Sequence, residues 1–373
     1  MRLTDGLLTL WRRDGESQLG ADPRLAVVLD RLSGPQQRAL DVLARESVAS
    51  CVELAHQSRG SVRESRELVR RLARAGVLID PPRSIAAWAA TRWSAEPEAD
   101  RFARAARARR LAALAGSARP AGVTDPSGPV GSAGPVAHGR RTAAVVVLGA
   151  DPLGLTLARL LAGAGVGTVA PWDRAPVLTS DVSAFGYHAA DVGRPREVAA
   201  VAHLRHCRPD VRTRPPERPD VVVLVESRVS VPFRSSALLG GDVPHLSLVQ
   251  RELDVVVGPA VRPGRDACLR CLDLHRRDAD PCWPAVATQL AVAPPPRHDA
   301  ATVATAAGLA CSAVLAMLDG DASGMEDAAD HEGDVGAGPP WQRSREVGGG
   351  RVAERRWAPH PECGCGAQGD ARG

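Results

Sequence analysis

Four of the chain's eight cysteines fall in two close pairs. Cys268 and Cys271 stand as C-x-x-C in DACLRCLD, and Cys363 and Cys365 as C-x-C in HPECGCG. Four soft thiolates in two pairs are what a closed tetrahedral zinc site needs. With every coordination position taken by sulfur, the expected metal is structural, and it staples the C-terminal tail to the body. Disulfides would need an oxidising compartment. The N-terminus, MRLTDGLLTLWRRDGE, has Asp5 inside its first apolar stretch and no small-residue cleavage site, so it does not read as a signal peptide. The expected compartment is the cytoplasm. Cys51, Cys207, Cys282 and Cys311 stand singly and read as small buried hydrophobes. His275 and His360 flank the paired cysteines and read as supporting groups, because four thiolates already complete a site.

A second constellation follows an apolar run: Gly149-Ala150-Asp151-Pro152-Leu153-Gly154. The dinucleotide fingerprint is G-x-G-x-x-G after a strand and before a helix. Here Gly149 and Gly154 stand, but Asp151 replaces the middle glycine, whose role is to let phosphate approach the backbone. A carboxylate adds bulk and negative charge at a helix N-terminus that otherwise favours anions. Pro152 removes an N–H that phosphate would use. Asp173, at the end of the next strand, is placed for a ribose hydroxyl. The turn therefore reads as a degenerate nucleotide site that marks a fold, and ATP is not an expected cofactor.

The wider inventory narrows the chemistry. All 47 basic residues are arginine, and the chain has neither lysine nor asparagine. That excludes a P-loop lysine, a Schiff-base lysine and a lysine general base. There is no G-x-S-x-G elbow and no H-E-x-x-H helix. A formal charge of +4 across 373 residues argues against nucleic acid as an obligate partner. No apolar run is expected to approach the roughly 20 residues of a membrane span.

The elements that must position these residues divide the chain. Residues 1–82 predict a small winged-helix-like α+β domain. Its short strands are LLTLWRR, SQLG and LAVVL, with Asp-Gly at the hairpin turn. Three helices follow, opened by Pro35, Ser50 and a Ser61–Glu64 capping box. Val62, Leu68, Val69 and Leu72 give the third an apolar face. Residues 83–116 read as a helical connector and 117–141, rich in Gly, Pro, Ser and Ala, as a flexible linker. From 142 to 320 strands and helices alternate, which predicts an open Rossmann-like α/β sheet. Residues 321–373 read as a loop and the cysteine-bearing tail, with 320–350 expected to lack regular structure.

Taken in order, the strand, glycine turn, helix, strand ending in Asp173, PDVVVLVES, HLSLVQRELDVVVGPAVRPGRDACLRC and the terminal cysteine pair resemble the ThiF and ubiquitin-activating adenylyltransferase superfamily. CLRCLDLHRRDADPCWPAVATQL and WAPHPECGC are similar to one branch, the ThiF-like partner proteins of azoline-forming cyclodehydratases in ribosomal peptide modification, with an N-terminal winged-helix domain for peptide recognition. The resemblance covers about residues 142–366 well and 1–82 weakly. Active members use arginine and asparagine after the second strand, a lysine on the phosphates, and an aspartate on magnesium. This chain has no lysine or asparagine, and Ser227 stands at the aspartate position, with Glu226 pointing to the opposite face of the strand. The resemblance thus implies a non-catalytic subunit that binds a precursor leader peptide and docks a YcaO-type cyclodehydratase. The leader would add a strand beside LAVVL at Val27, or at Val28 if residue 27 faces inward, with Arg63, Arg66 and Arg70 facing its acidic residues. Two alternatives stand beside it: an ATP-dependent adenylyltransferase acting on a protein or peptide C-terminus, and a winged-helix DNA-binding regulator. A homodimer stays open.

Overall fold

A computed structural model describes residues 1–4, 7–22, 24–79, 136–323 and 343–367. The connector at 83–116 and the linker up to residue 135 lie outside them. The chain forms two compact units, one built on the N-terminal residues together with Arg277–Pro294, the other on the remainder of the C-terminal part.

In the first unit, β1 (Arg2–Leu3) pairs with β5 (Leu78–Ile79), while β2 (Thr9–Arg13), β3 (Glu16–Leu19) and β4 (Val27–Leu29) form an antiparallel sheet in that order. Gly15, at a φ of 74°, makes the tight turn between β2 and β3. Three helices follow: α1 (Gly34–Arg45), α2 (Cys51–Gln57) and α3 (Val62–Arg74). Ser33, Ser50 and Ser61 cap them, and Gln36 and Glu64 close capping boxes at the first and third. The Glu64 carboxylate also accepts from the Ser33 hydroxyl at 2.7 Å, tying the start of α3 to the start of α1. Leu19, Leu40, Leu43, Leu54, Leu68 and Leu72 form the shared core. Sequence periodicity predicts these elements because each helix buries one stripe.

The same unit takes in a segment that sequence alone places within the α/β stretch. Arg12 on β2 makes paired hydrogen bonds to Asp280 at 2.7 and 2.8 Å. The Gln289 side chain accepts from the Trp11 N–H at 2.8 Å and donates to the Trp11 carbonyl at 2.6 Å. The outer edge of β2 is thus closed by a side-chain amide on the helix Trp283–Val292. Such a contact satisfies both polar groups that an edge strand leaves open.

The second unit is an α/β structure with a mixed seven-stranded sheet. In chain order its elements are α4 (Val136–Thr142), β6 (Ala144–Leu148), α5 (Pro152–Gly163), β7 (Thr168–Trp172), α6 (Arg196–Cys207), β8 (Val221–Ser227), α7 (Pro232–Gly240), β9 (His245–Gln250), β10 (Val255–Val261), α8 (Leu269–Ala279), α9 (Trp283–Val292, in the first unit), α10 (Ala300–Ser323), β11 (Arg343–Gly348) and β12 (Arg351–Arg356). The strand order is β12-β11-β10-β9-β8-β6-β7. Strands β7, β6, β8 and β9 run parallel and the rest antiparallel. Two apolar layers cover the sheet. One is built from α5 and α10 with Val145, Val147 and Val223; the other sets Val222, Leu224 and Val261 against Leu269 and Leu272 of α8.

Three expectations need correction. Residues 343–348, expected as loop, and 351–356, expected within the loop-and-tail stretch, form a hairpin around Gly349 and Gly350, both at positive φ. Its strands are polar on both faces, so composition hid them, although a Gly-Gly turn is a hairpin signal. Residues 136–141, expected as linker, are helical within Val136–Thr142. An apolar run of membrane-spanning length does exist: Ala300–Asp319 is long and apolar enough to cross a bilayer. Here Val303, Ala307, Ala310, Val314 and Met317 pack it into the sheet core.

Candidate functional site

Chain order fixes where a ligand would meet the α/β sheet. The strands run from β6 outward to β7 and then return to β8 on the other side, so the crevice at the carboxyl ends of β6 and β8 is a topological switch point. Gly149 enters it at a φ of 105°, and a Cβ there would stand 2.6 Å from the Val225 carbonyl oxygen. Gly154 lets α5 close on the same turn, since its Cβ would stand 2.0 Å from the Gly149 carbonyl oxygen. The two surviving glycines are therefore required by packing.

The carboxylate of Asp151 caps the N-terminus of α5, where backbone N–H groups favour an anion. Its Oδ1 accepts from the Leu153 and Gly154 N–H groups, each at 3.0 Å, and its Oδ2 accepts a short hydrogen bond from the Gln250 amide at the end of β9. Pro152 has no N–H to offer. The free donors at the start of α5 are consumed by the chain's own anion. Burial pushes the Asp151 carboxyl above its ordinary range, against those three hydrogen bonds.

Asp173 is equally engaged. Its Oδ2 accepts from the Ala150 N–H at 3.0 Å and lies 3.2 Å from Arg196, and its Oδ1 accepts from Ala175. Arg196 also binds Asp181 at 2.8 Å. The Tyr187 hydroxyl donates to the Ala150 carbonyl. A ribose hydroxyl or a phosphate would have to displace this network member by member. Gln250, Arg196, Asp181 and Tyr187 were not singled out from sequence. Gln250 lies 99 positions from its partner, and nothing in its neighbourhood signals the contact.

At the end of β8, Ser227 and Glu226 point to opposite faces, and Glu226 is buried. One of its oxygens accepts from the Val231 N–H at 3.1 Å, and the other has no partner among the described residues. Burial pushes its carboxyl up to about 7. A carboxyl whose folded pKa is raised costs stability as pH climbs from its ordinary value near 4.5 through about 7. Glu226→Gln keeps the Val231 hydrogen bond and removes that cost. The variant should be more stable than the parent by roughly 2–3 kcal/mol at pH 8, with the difference vanishing near pH 4. Thermal melts of both proteins across that range measure it, and a pH-independent difference would contradict the assignment.

The paired cysteines converge. Cys268 Sγ lies 3.8 Å from Cys271 Sγ and 3.6 Å from Cys363 Sγ, and Cys271 Sγ lies 3.7 Å from Cys365 Sγ. Four sulfurs about 2.3 Å from a common centre stand about 3.8 Å apart in a tetrahedron. The separations fit that figure and are far from a disulfide bond. Cys268 and Cys271 are buried at the start of α8, and Cys363 and Cys365 close the cluster from the tail after Trp357. The Cys268 hydrogen bond draws the Cys271 thiol below its ordinary range, and the same bond together with burial pushes Cys268 above its own. Thiolates this crowded need a cation. The four cysteines can hold a metal ion. His275 binds the Ala358 carbonyl at 2.9 Å and His360 accepts from the Glu362 N–H at 3.1 Å, so both shape the tail from outside the cluster.

In the first unit, Arg63, Arg66 and Arg70 lie along the exposed face of α3. The edge geometry of β4 follows from the ladder. Gly20 N–H donates to the Leu8 carbonyl at 2.8 Å, so Gln18 turns its main chain toward β2, and Ser17 and Leu19 turn theirs toward β4. Leu29 and Val27 face Ser17 and Leu19 in register, which leaves Val28 with its N–H and carbonyl on the outer edge. Val27, named from sequence, turns its main chain inward; Val28 is the outward residue. Arg71, which sequence did not single out, donates to the Asp30 carbonyl at 2.9 Å and fixes α3 beside the end of β4.

Residues 138–219 match the ThiF family. No curated protein sequence matches the chain. Among solved structures, it is similar to E. coli MccB with AMPCPP and selenomethionine-substituted MccA, at 12% identity over 98% of this chain and 99% of that one, TM-score 0.50. It is also similar to the microcin C7 biosynthetic enzyme MccB in complex with N-formylated MccA, at 13% identity over 98% and 99%, TM-score 0.49. A third is PaaA, at 16% identity over 59% of this chain and 75% of that one, TM-score 0.45. At 12% identity the first of these likenesses concerns the fold alone.

Proposed function

We propose, from the premise that residues 138–219 form a ThiF-family domain, that this chain is a non-catalytic recognition subunit for ribosomal peptide modification in the cytoplasm. The observation that carries the reading is the Asp151 carboxylate on the Leu153 and Gly154 N–H groups, where an adenylating relative needs phosphate. Asp173 held by Ala150 and Arg196, and Ser227 in place of a metal-binding acid, support it. Zinc is the metal of the four-cysteine cluster, because tetrahedral all-thiolate sites suit it and no position remains for catalysis.

The N-terminal unit serves as the winged-helix-like peptide reader. With the outer edge of β2 closed by Gln289, β4 is the edge of the three-stranded sheet left for an added strand. A leader peptide pairs with Val28, while Arg63, Arg66 and Arg70 meet its acidic side chains. The body docks a YcaO-type cyclodehydratase, which handles ATP. E. coli MccB is solved with AMPCPP and MccA, and peptide capture is the property this reading carries over.

Two measurements on the full chain test it. Millimolar Mg·ATP should leave the melting temperature within about 1 °C, because a ligand stabilises only above its dissociation constant. The leader of a genomically adjacent precursor should bind, and Val28→Pro should weaken it by about tenfold or more through loss of a main-chain donor. Arg66→Glu should weaken it less and mainly slow association. A large magnesium-dependent stabilisation with pyrophosphate release would favour the adenylyltransferase. A salt-dependent shift of promoter DNA without leader binding would favour the regulator.

A further inference from the structure

We propose that His188, Asp191 and His203 form a second metal site, sharing no residue with the four-cysteine cluster, for a borderline divalent transition ion such as Zn2+, with one position left to water. The argument starts from local structure. A short 3-10 turn, Ala189–Asp191, leads after four residues into α6, and this places Asp191 against the second turn of that helix. Asp191 Oδ2 and His203 Nε2 stand 2.8 Å apart, and the His188 ring lies 4.6 Å from the His203 ring, centre to centre. One donor atom from each of the three residues falls within 4.8 Å of the others.

Chemistry selects the ion class. Two imidazoles and one carboxylate suit zinc, cobalt or nickel better than calcium or magnesium, which prefer all-oxygen shells. Three protein ligands plus water is the open form of a tetrahedral zinc site, in contrast to the closed four-sulfur cluster. Ligands about 2.0–2.1 Å from zinc stand about 3.4 Å apart, so Asp191 and His203 need to part by roughly half an ångström. The ion replaces the hydrogen those two atoms now share: binding at Nε2 takes the neutral His203 tautomer with its hydrogen on Nδ1, so that hydrogen moves from one ring nitrogen to the other through solvent, and an imidazolium would release its second proton to water.

The site is also held in advance. The side chains of Asp191 and His203 are only 8% and 9% exposed. The Asp191 carboxylate accepts from the His188 N–H at 3.2 Å and from Arg194 at 2.9 Å, and Tyr187 stands edge-on to His203 at 5.7 Å. His188 is exposed and forms the rim through which an ion enters. Arg194 places a positive charge on the ligand carboxylate, so it should weaken binding.

Cobalt distinguishes the two sites. Titrated into the full-length protein, Co2+ bound to thiolates gives intense sulfur-to-metal charge-transfer bands, whereas an imidazole–carboxylate site gives only weak visible bands. Two classes of binding are expected. His188→Ala, an exposed change, should weaken the second class by about tenfold or more and leave the thiolate bands intact. Arg194→Gln should tighten the second class several-fold, an effect that a merely structural Asp–His clasp would not produce. Thiolate-type bands alone, or identical titrations of the parent and His188→Ala, would overturn the proposal. So would an affinity unmoved by Arg194→Gln.

Discussion

Cys365→Ser should cost the protein its metal and lower the melting temperature of the α/β unit by about 10 °C or more. Metal binding is folding free energy wherever the site does not exist in the unfolded chain, and structural zinc binds peptides with roughly 10–16 kcal/mol. In a larger domain much of that is spent organising the ligands, so a loss of several kcal/mol is the expected net effect. At about 2–4 °C per kcal/mol for a unit of this size, the shift follows. The change acts through the tail: Cys363 and Cys365 anchor the segment after β12, and Trp357 packs into the layer that contains Cys268, Cys271 and Leu272. A serine hydroxyl is a poor fourth ligand for an otherwise all-thiolate ion. Metal analysis should read one equivalent in the parent, beyond any chelator-labile ion, and near none in the variant, and a strong chelator should reproduce the shift. An unchanged melting temperature with full metal content would remove Cys365 from the site.

Gly154→Ala should be at least as damaging, although the residue touches no ligand. The added Cβ would stand 2.0 Å from the Gly149 carbonyl oxygen and 3.6 Å from Val225 Cγ2. The first obstacle is backbone, so no rotamer change relieves it, and α5 must lift from the turn that joins it to β6. That separates Leu153 and Leu157 from Val145 and Val223 in the main core. A loss of about 3–5 kcal/mol is expected, at the upper end for a single substitution. Urea unfolding followed by circular dichroism measures it, and a change below about 1 kcal/mol would mean that the helix does not close on the turn as described. The result separates packing from phosphate binding as the reason for this glycine.

The two glycines show how a sequence motif can mislead. G-x-G-x-x-G minus its middle glycine marks the strand–turn–helix correctly, because the steric demand at Gly149 and Gly154 belongs to the backbone and is local. The surroundings of Asp151 were only half legible. That Asp151 would repel phosphate follows from its charge. That it accepts two helix N–H groups and is held by Gln250 requires β9 to lie beside β8, which depends on sheet order. In the same way, LAVVL was readable as a strand, but the choice between Val27 and Val28 came from the hydrogen-bond phase of the whole sheet, which the β2–β3 pairing sets. The hairpin at 343–356 was missed because β11 and the edge strand β12 both carry charged residues on each face and so lack the period-two signal.

By itself the sequence determined the chemistry that is available. It supplied two thiolate pairs, no lysine, an acid in the phosphate turn, three capped helices in the N-terminal unit and apolar β-rich runs in the body. Each of these is a property of residue type or of near-neighbour spacing, which chain order carries directly. Only the tertiary structure decided which groups meet. It brought Cys365 to Cys271 across 94 positions, set Gln289 on the edge of β2, and gathered His188, Asp191 and His203 around one point. The reason is that contacts distant in sequence are fixed by the common burial of apolar faces, a condition on the whole chain that no single segment expresses.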